Sequence, residues 1–137
     1  MGTIVVGYVP KPEGRAALRR GAEEARLRSC RLVVVNSHRG GREFDRDDAV
    51  ESEAQLEEVR SQLSETGVEH EVRQLVRGMD PAEDLIAVAE EVAAEFIVIG
   101  LRRRSPVGKL ILGSNAQRVL LDAPCPVLAV KAEAEAE

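Results

Sequence analysis

Aromatic residues are almost missing from this chain of 137 residues: Tyr8, Phe44 and Phe96 are its whole complement, with no tryptophan. Little is left to stack on unpaired bases, sandwich a flavin or line a sugar groove. Cysteine is as scarce. Cys30 and Cys125, each beside an apolar run, exclude a disulfide scaffold and a four-cysteine zinc site, and are expected as free, buried thiols in a reducing cytoplasm. The longest apolar runs, such as residues 96–99, fall far short of the ~20 that a membrane span needs, and the N-terminus has no signal-peptide pattern. A soluble cytoplasmic protein is expected, with no membrane partner. An excess of positive charge is lacking too. The 19 lysines and arginines face 24 acids, a net charge of −5, which disfavours nucleic acid as a partner.

Short β-branched runs alternating with helical stretches fill the rest. Residues 3–9 (TIVVGYV), 32–35 and 96–99 are nearly unbroken apolar runs, expected as strands buried on both faces of a parallel sheet. Residues 68–76 alternate apolar and charged, which suits a sheet edge, and residues 127–130 make a last strand after Pro124 and Pro126. Between them lie four helices. Pro12 suits the first turn of one, whose Leu18, Gly21, Ala22 and Ala25 are small enough for close packing on a sheet. Ala49, Leu56, Val59 and Leu63 mark a second, ended by Gly67. Asp80-Pro81-Ala82-Glu83 starts a third, striped by Leu85, Val88, Ala89 and Val92, and Ser114 with Gln117 reads as the capping box of a fourth. Residues 37–48 and 102–112 read as loops. The fold expected is one doubly wound five-stranded parallel α/β domain over residues 1–131, with a frayed acidic tail at 132–137. Ligands in such sheets sit at the carboxyl ends of the strands, where the strand order reverses.

Chemistry is concentrated in residues 99–115, IGLRRRSPVGKLILGSN. Gly100 follows a buried strand, and Gly113-Ser114 opens a helix with Asn115 behind it, so free N–H groups, a dipole end and a hydroxyl converge on one point. This is either an anion site or simply a chain turn and a helix cap. Arg102, Arg103, Arg104 and Lys109 put four positive charges in eight residues of an acidic chain. They could hold a phosphate or carboxylate, or be a solvated loop, or pair with acids of a partner subunit. His38, in a polar loop, and His70, on an edge strand, have no third residue spaced for a metal. Neither cysteine has a neighbouring base, and Ser105 and Ser114 lack a nucleophile elbow.

The spacing Gly100, two residues, Arg103, nine residues, Gly113-Ser114 resembles the nucleotide loop of the universal stress protein family, with arginine in place of its second glycine. PEGRAAL in the first helix, GMDPAEDLIAVAEE before the fourth strand and PCPVLAVK at the end extend the similarity over residues 3–131. The resemblance implies a strand order of 3-2-1-4-5, and an ATP-type site shared by the loop after strand one and residues 100–114. Val35 and Asn36 would stand at its adenine end. Where nucleotide-binding members carry an acid after the first strand, this chain has Val9-Pro10-Lys11; valine cannot accept a hydrogen bond through its side chain and proline has no N–H. With Arg103 obstructing close approach to phosphate, the loop is degenerate. The expected function is therefore a stress-response protein acting by binding, and by homodimerisation through Val127, Leu128, Ala129 and Val130, without catalysis. The alternative is an ATP- or AMP-binding switch, with magnesium, or a weak ATPase that uses Arg102, Arg103 and Arg104 for phosphate.

Overall fold

The computed structural model describes residues 2–38, 46–76, 80–104 and 109–132. Strands and helices alternate: β1 (Thr3–Gly7), α1 (Pro12–Arg28), β2 (Arg31–His38), α2 (Arg46–Thr66), β3 (His70–Val76), α3 (Pro81–Glu91) and β4 (Phe96–Arg104), then β5 (Lys109–Ile111), α4 (Ser114–Asp122) and β6 (Val127–Lys131). Five strands pair in parallel in the order β3-β2-β1-β4-β6, so the last strand takes the fifth place that the resemblance implied. The order reverses at β1, which lies between β2 and β4.

Both faces of the sheet are covered, which is why its strands read as continuous apolar runs. Ile4, Val6, Leu32, Val34 and Val98 pack against α1 and α2; Val5, Val33, Ile97 and Ile99 pack against α3 and α4. The small residues of α1 do what their size suggests. Gly21 is buried against Val6, and a Cβ there would overlap that side chain. Pro12 and Pro81 stand at helix starts, and Gly67, at φ 75°, closes α2. α1 instead closes on Ser29 at φ 55°, not on a glycine.

Several boundaries differ from the sequence reading. The first strand ends at Gly7, and β3 begins at His70 on the sheet edge. Residues 37 and 38 are not loop: β2 runs on to His38, paired with Val76, and α2 already begins at Arg46. Likewise β4 does not stop before Gly100. It leaves the parallel sheet after Leu101 and forms an antiparallel hairpin with β5, in register Arg102 with Ile111 and Arg104 with Lys109, where a loop was expected. Ala132, assigned to the frayed tail, is buried, and its N–H bonds the Leu101 carbonyl at 2.8 Å. Residues 133–137 lie outside the described residues. Cys30 and Cys125 are half-buried rather than buried; burial pushes the Cys125 thiol above its ordinary pKa, away from the reactive thiolate.

Candidate functional site

The carboxyl ends of β1, β2 and β4 open into a cleft of about 350 Å³ closed by the first turns of α1, α3 and α4. Gathering three helix N-termini there follows from the topology, because each helix returns from a strand's carboxyl end. Of the residues singled out in the sequence, Val9, Val35, Gly100, Arg102, Gly113, Ser114 and Asn115 line this one cleft. Pro10 does not. It sits at the centre of a tight turn in which the Lys11 N–H bonds the Val9 carbonyl at 2.8 Å. Arg103 pairs through its backbone with Leu110 in the hairpin, and its side chain lies outside the described residues.

The two loop glycines have different physical reasons. A Cβ on Gly100 would run into the Glu13 carbonyl, so this glycine lets the first turn of α1 lie directly on β4. Gly113 has an ordinary extended backbone (φ −66°, ψ 165°), and a Cβ there would meet nothing among the described residues. Neither strain nor packing among the described residues demands it. The expected capping box is corrected as well. Gly113, not Ser114, is the N-cap of α4, it has no side chain with which to cap the helix, and the Gln117 amide donates to the Leu112 carbonyl at 3.1 Å. The α4 terminus thus keeps its free N–H groups and positive dipole end facing the cleft, with Ser114 in its first turn.

Arg118 anchors that terminus. Its guanidinium donates to Asp80 at 3.2 Å and pairs with Glu83 at 2.7 Å, tying α4 to the first turn of α3. Asp80 is the N-cap of α3 by position, but its side chain makes no cap bond. Asn36 does not line the cleft; on the α2 side of the sheet a chain of amides and hydroxyls links the strand ends. Gln74 donates to Ser52 at 2.6 Å, Ser52 to Asn36 at 3.4 Å, and the Asn36 amide to the Tyr8 carbonyl at 3.1 Å. Burial raises the Tyr8 phenol above its ordinary pKa against the pull of Arg15, so it is no acid or base at neutral pH.

Other lining residues were not anticipated. Glu13 in the first turn of α1 lines the cleft, four residues beyond the valine that replaces an acid. Ser37 lines the cleft and donates a hydrogen bond to Asp84, which is wholly buried on α3. Both were legible in principle. The period of two that faces Val33 and Val35 to α3 carries Ser37 to the same side, and Asp84 lies one helical turn before Val88, on the apolar stripe. Leu85, Ile99 and Val119 supply the apolar wall. His38 ends β2 rather than sitting in a loop, and the His70 Nδ1–H donates to the Val68 carbonyl, 2.8 Å away.

These features define a doubly wound α/β protein with a cleft at its topological switch point. The chain matches the universal stress protein family over residues 1–131, and it belongs to that family. A universal stress protein of Mycolicibacterium smegmatis is 48% identical over 128 residues, 93% of this chain and 96% of that protein. The structure of a universal stress protein from Archaeoglobus fulgidus is 42% identical with a TM-score of 0.84, covering 96% of this chain and 99% of the other. A second A. fulgidus structure, a universal stress protein in complex with dAMP, is 36% identical with a TM-score of 0.79, over 96% and 98% of the two chains.

Proposed function

We propose that this protein acts in stress response as a binding and association module whose cleft takes an adenine nucleoside monophosphate, without turning it over. The observation that carries this is the convergence of Val9, Val35, Gly100, Arg102, Gly113, Ser114 and Asn115 on one cleft at an uncapped helix N-terminus. The size of the cleft, near the lower end of small-ligand pockets, suits a monophosphate, and the dAMP complex of the A. fulgidus relative supports the ligand class. In this reading the free N–H groups of α4, Ser114 and exposed Arg102 hold the phosphate, and Glu13 supplies the acceptor that Val9 lacks. The replacement of glycine by Arg103 disfavours the further phosphates of ATP. No histidine or thiol lines the cleft among the described residues, and Glu13 serves in this reading as an acceptor for the ligand rather than as a base, so the reading is binding.

Association is proposed through β6, an edge strand paired on one side with β4, whose Val127, Leu128 and Val130 are half-buried. A second copy pairing with it would cover an apolar edge. Leu128→Asp should then yield a monomer in sedimentation, and a parent that is already monomeric at all concentrations overturns this part.

Protein purified without added nucleotide and then denatured should release AMP detectable by mass spectrometry, and calorimetry should show AMP binding more tightly than ATP. Val9→Asp with Arg103→Gly should then tighten ATP about tenfold, since a hydrogen bond to a charged group contributes ~1.5–3 kcal/mol. Absence of AMP binding by both methods sinks the reading.

A further inference from the structure

The Ser37–Asp84 pair is built from β2 and the first turn of α3, not from the α4 terminus to which the reading above gives the phosphate. Ser37 is near the carboxyl end of β2, on the strand face that turns toward α3 and the cleft, while Asp84 is wholly buried in the first turn of α3. The hydroxyl donates to a carboxylate oxygen of Asp84. A hydroxyl has one proton and two lone pairs, so with its proton committed Ser37 can offer the cleft only an acceptor. Its neighbours on that wall, Val35, Ala82 and Leu85, are apolar.

We propose that Ser37, polarised in this sense by Asp84, is the residue that selects the base: it accepts from an exocyclic amino group and rejects a keto oxygen at the same position. The inference rests on the nucleotide reading above and adds the residue that makes the choice of purine. An adenine presents a 6-amino donor to the lone pairs of Ser37; a 6-keto purine presents lone pairs to lone pairs, with the Ser37 proton held elsewhere. Rejection by an unmatched polar group is stronger than rejection by shape. Asp84 is a positioning residue here, acting only through the direction of the Ser37 proton.

Calorimetry with three probes separates the terms: AMP, purine riboside 5′-monophosphate, which lacks the 6-substituent, and IMP, which carries a 6-keto oxygen. The expected order is AMP, then the unsubstituted purine, then IMP, each step about five- to tenfold. Ser37→Ala should compress the AMP-to-IMP ratio toward unity while leaving binding of the unsubstituted purine nearly unchanged, which loss of fold would not do. Asp84→Asn, whose amide can donate to Ser37 and release its proton, should improve IMP relative to AMP. If that variant fails to fold, the Ser37→Ala ratio alone decides. Equal binding of the three probes, or a ratio untouched in Ser37→Ala, overturns the proposal while the nucleotide reading stands; failure of AMP to bind overturns both.

Discussion

The two helical layers divide the work of this molecule unequally. On one side α1 and α2, of 17 and 21 residues, cover the sheet; on the other α3 and α4 have only 11 and 9. At 1.5 Å per residue the first pair spans ~25–32 Å and the second ~14–17 Å, against ~17 Å for a five-residue strand. The long layer overreaches the five-residue strands β1 and β6, whereas the short layer is no longer than they are. Core membership shows the consequence. Val35, Ala82, Leu85, Ile99 and Val119 belong both to the core under α3 and α4 and to the cleft wall, while of the core under α1 and α2 only Tyr8 reaches the cleft. Val119 is the buried residue of α4, and its neighbours Leu120 and Leu121 are exposed. One layer keeps its core almost wholly apart from the cleft and meets it only through the first turn of α1; the other makes its core and its site from the same side chains.

The largest expected effect tests that division directly. Leu56→Ala in α2 and Leu85→Ala in α3 each truncate a buried leucine and should cost about 2–5 kcal/mol in chemical denaturation. Their effects on binding should differ. Leu56→Ala should leave the AMP affinity of the folded protein unchanged, because nothing of Leu56 faces the cleft, whereas Leu85→Ala should weaken it measurably. Equal losses of affinity would show that the two layers are not separate in function.

A smaller effect sharpens the boundary between the layers. α1 belongs to the long layer, yet its first turn lies on β4 at Gly100, beside the cleft. Gly100→Ala would force the Glu13 carbonyl away, at a cost of about 1–3 kcal/mol for overpacking, and would displace Glu13 from the cleft wall. Both stability and AMP affinity should fall. A variant of unchanged stability would mean that the contact of α1 with β4 yields without strain.

The same asymmetry explains what could be read in the sequence. Strands buried on both faces announce themselves as TIVVG and FIVI, and the long amphipathic helices by their stripes. The hairpin of Arg102 to Arg104 with Lys109 to Ile111 does not, because it is made by backbone pairing of residues whose charge suggests a loop. His38 was hidden for the same reason: a polar end on an apolar strand looks like the strand's finish. At the site, glycines and a serine before a helix were visible as local chemistry. Ser37 and Asp84 were each legible on their own element, but their pairing was not, since 47 residues separate the partners and only the fold brings them together. Glu13 was overlooked because its importance comes from Gly100, far along the chain, allowing α1 to approach.

The smallest expected effect lies at the edge of the short layer, where β3 meets α3. Arg73 donates to Glu71 and, at 2.5 Å, to Glu91, and Arg31 donates to Glu71 at 3.1 Å. Hydrogen bonding by Arg73 above all, with help from Arg31, holds the Glu71 carboxyl below its ordinary value of 4.5. A carboxyl with a depressed folded-state pKa contributes stability above its unfolded-state value and loses it as pH falls through the lower folded-state one. The contribution of Glu71 should therefore be constant above about pH 5 and vanish progressively below 4.5. About a third of the side chain is exposed, so solvent screening limits it to the ~0.2–1 kcal/mol of a surface pair. Denaturant unfolding of the parent and of Glu71→Gln between pH 7 and pH 3 isolates it from the other carboxylates. The stability difference should be positive and flat at neutral pH and close toward acid; a difference independent of pH would show that the network at this edge holds its shape without the charge of Glu71.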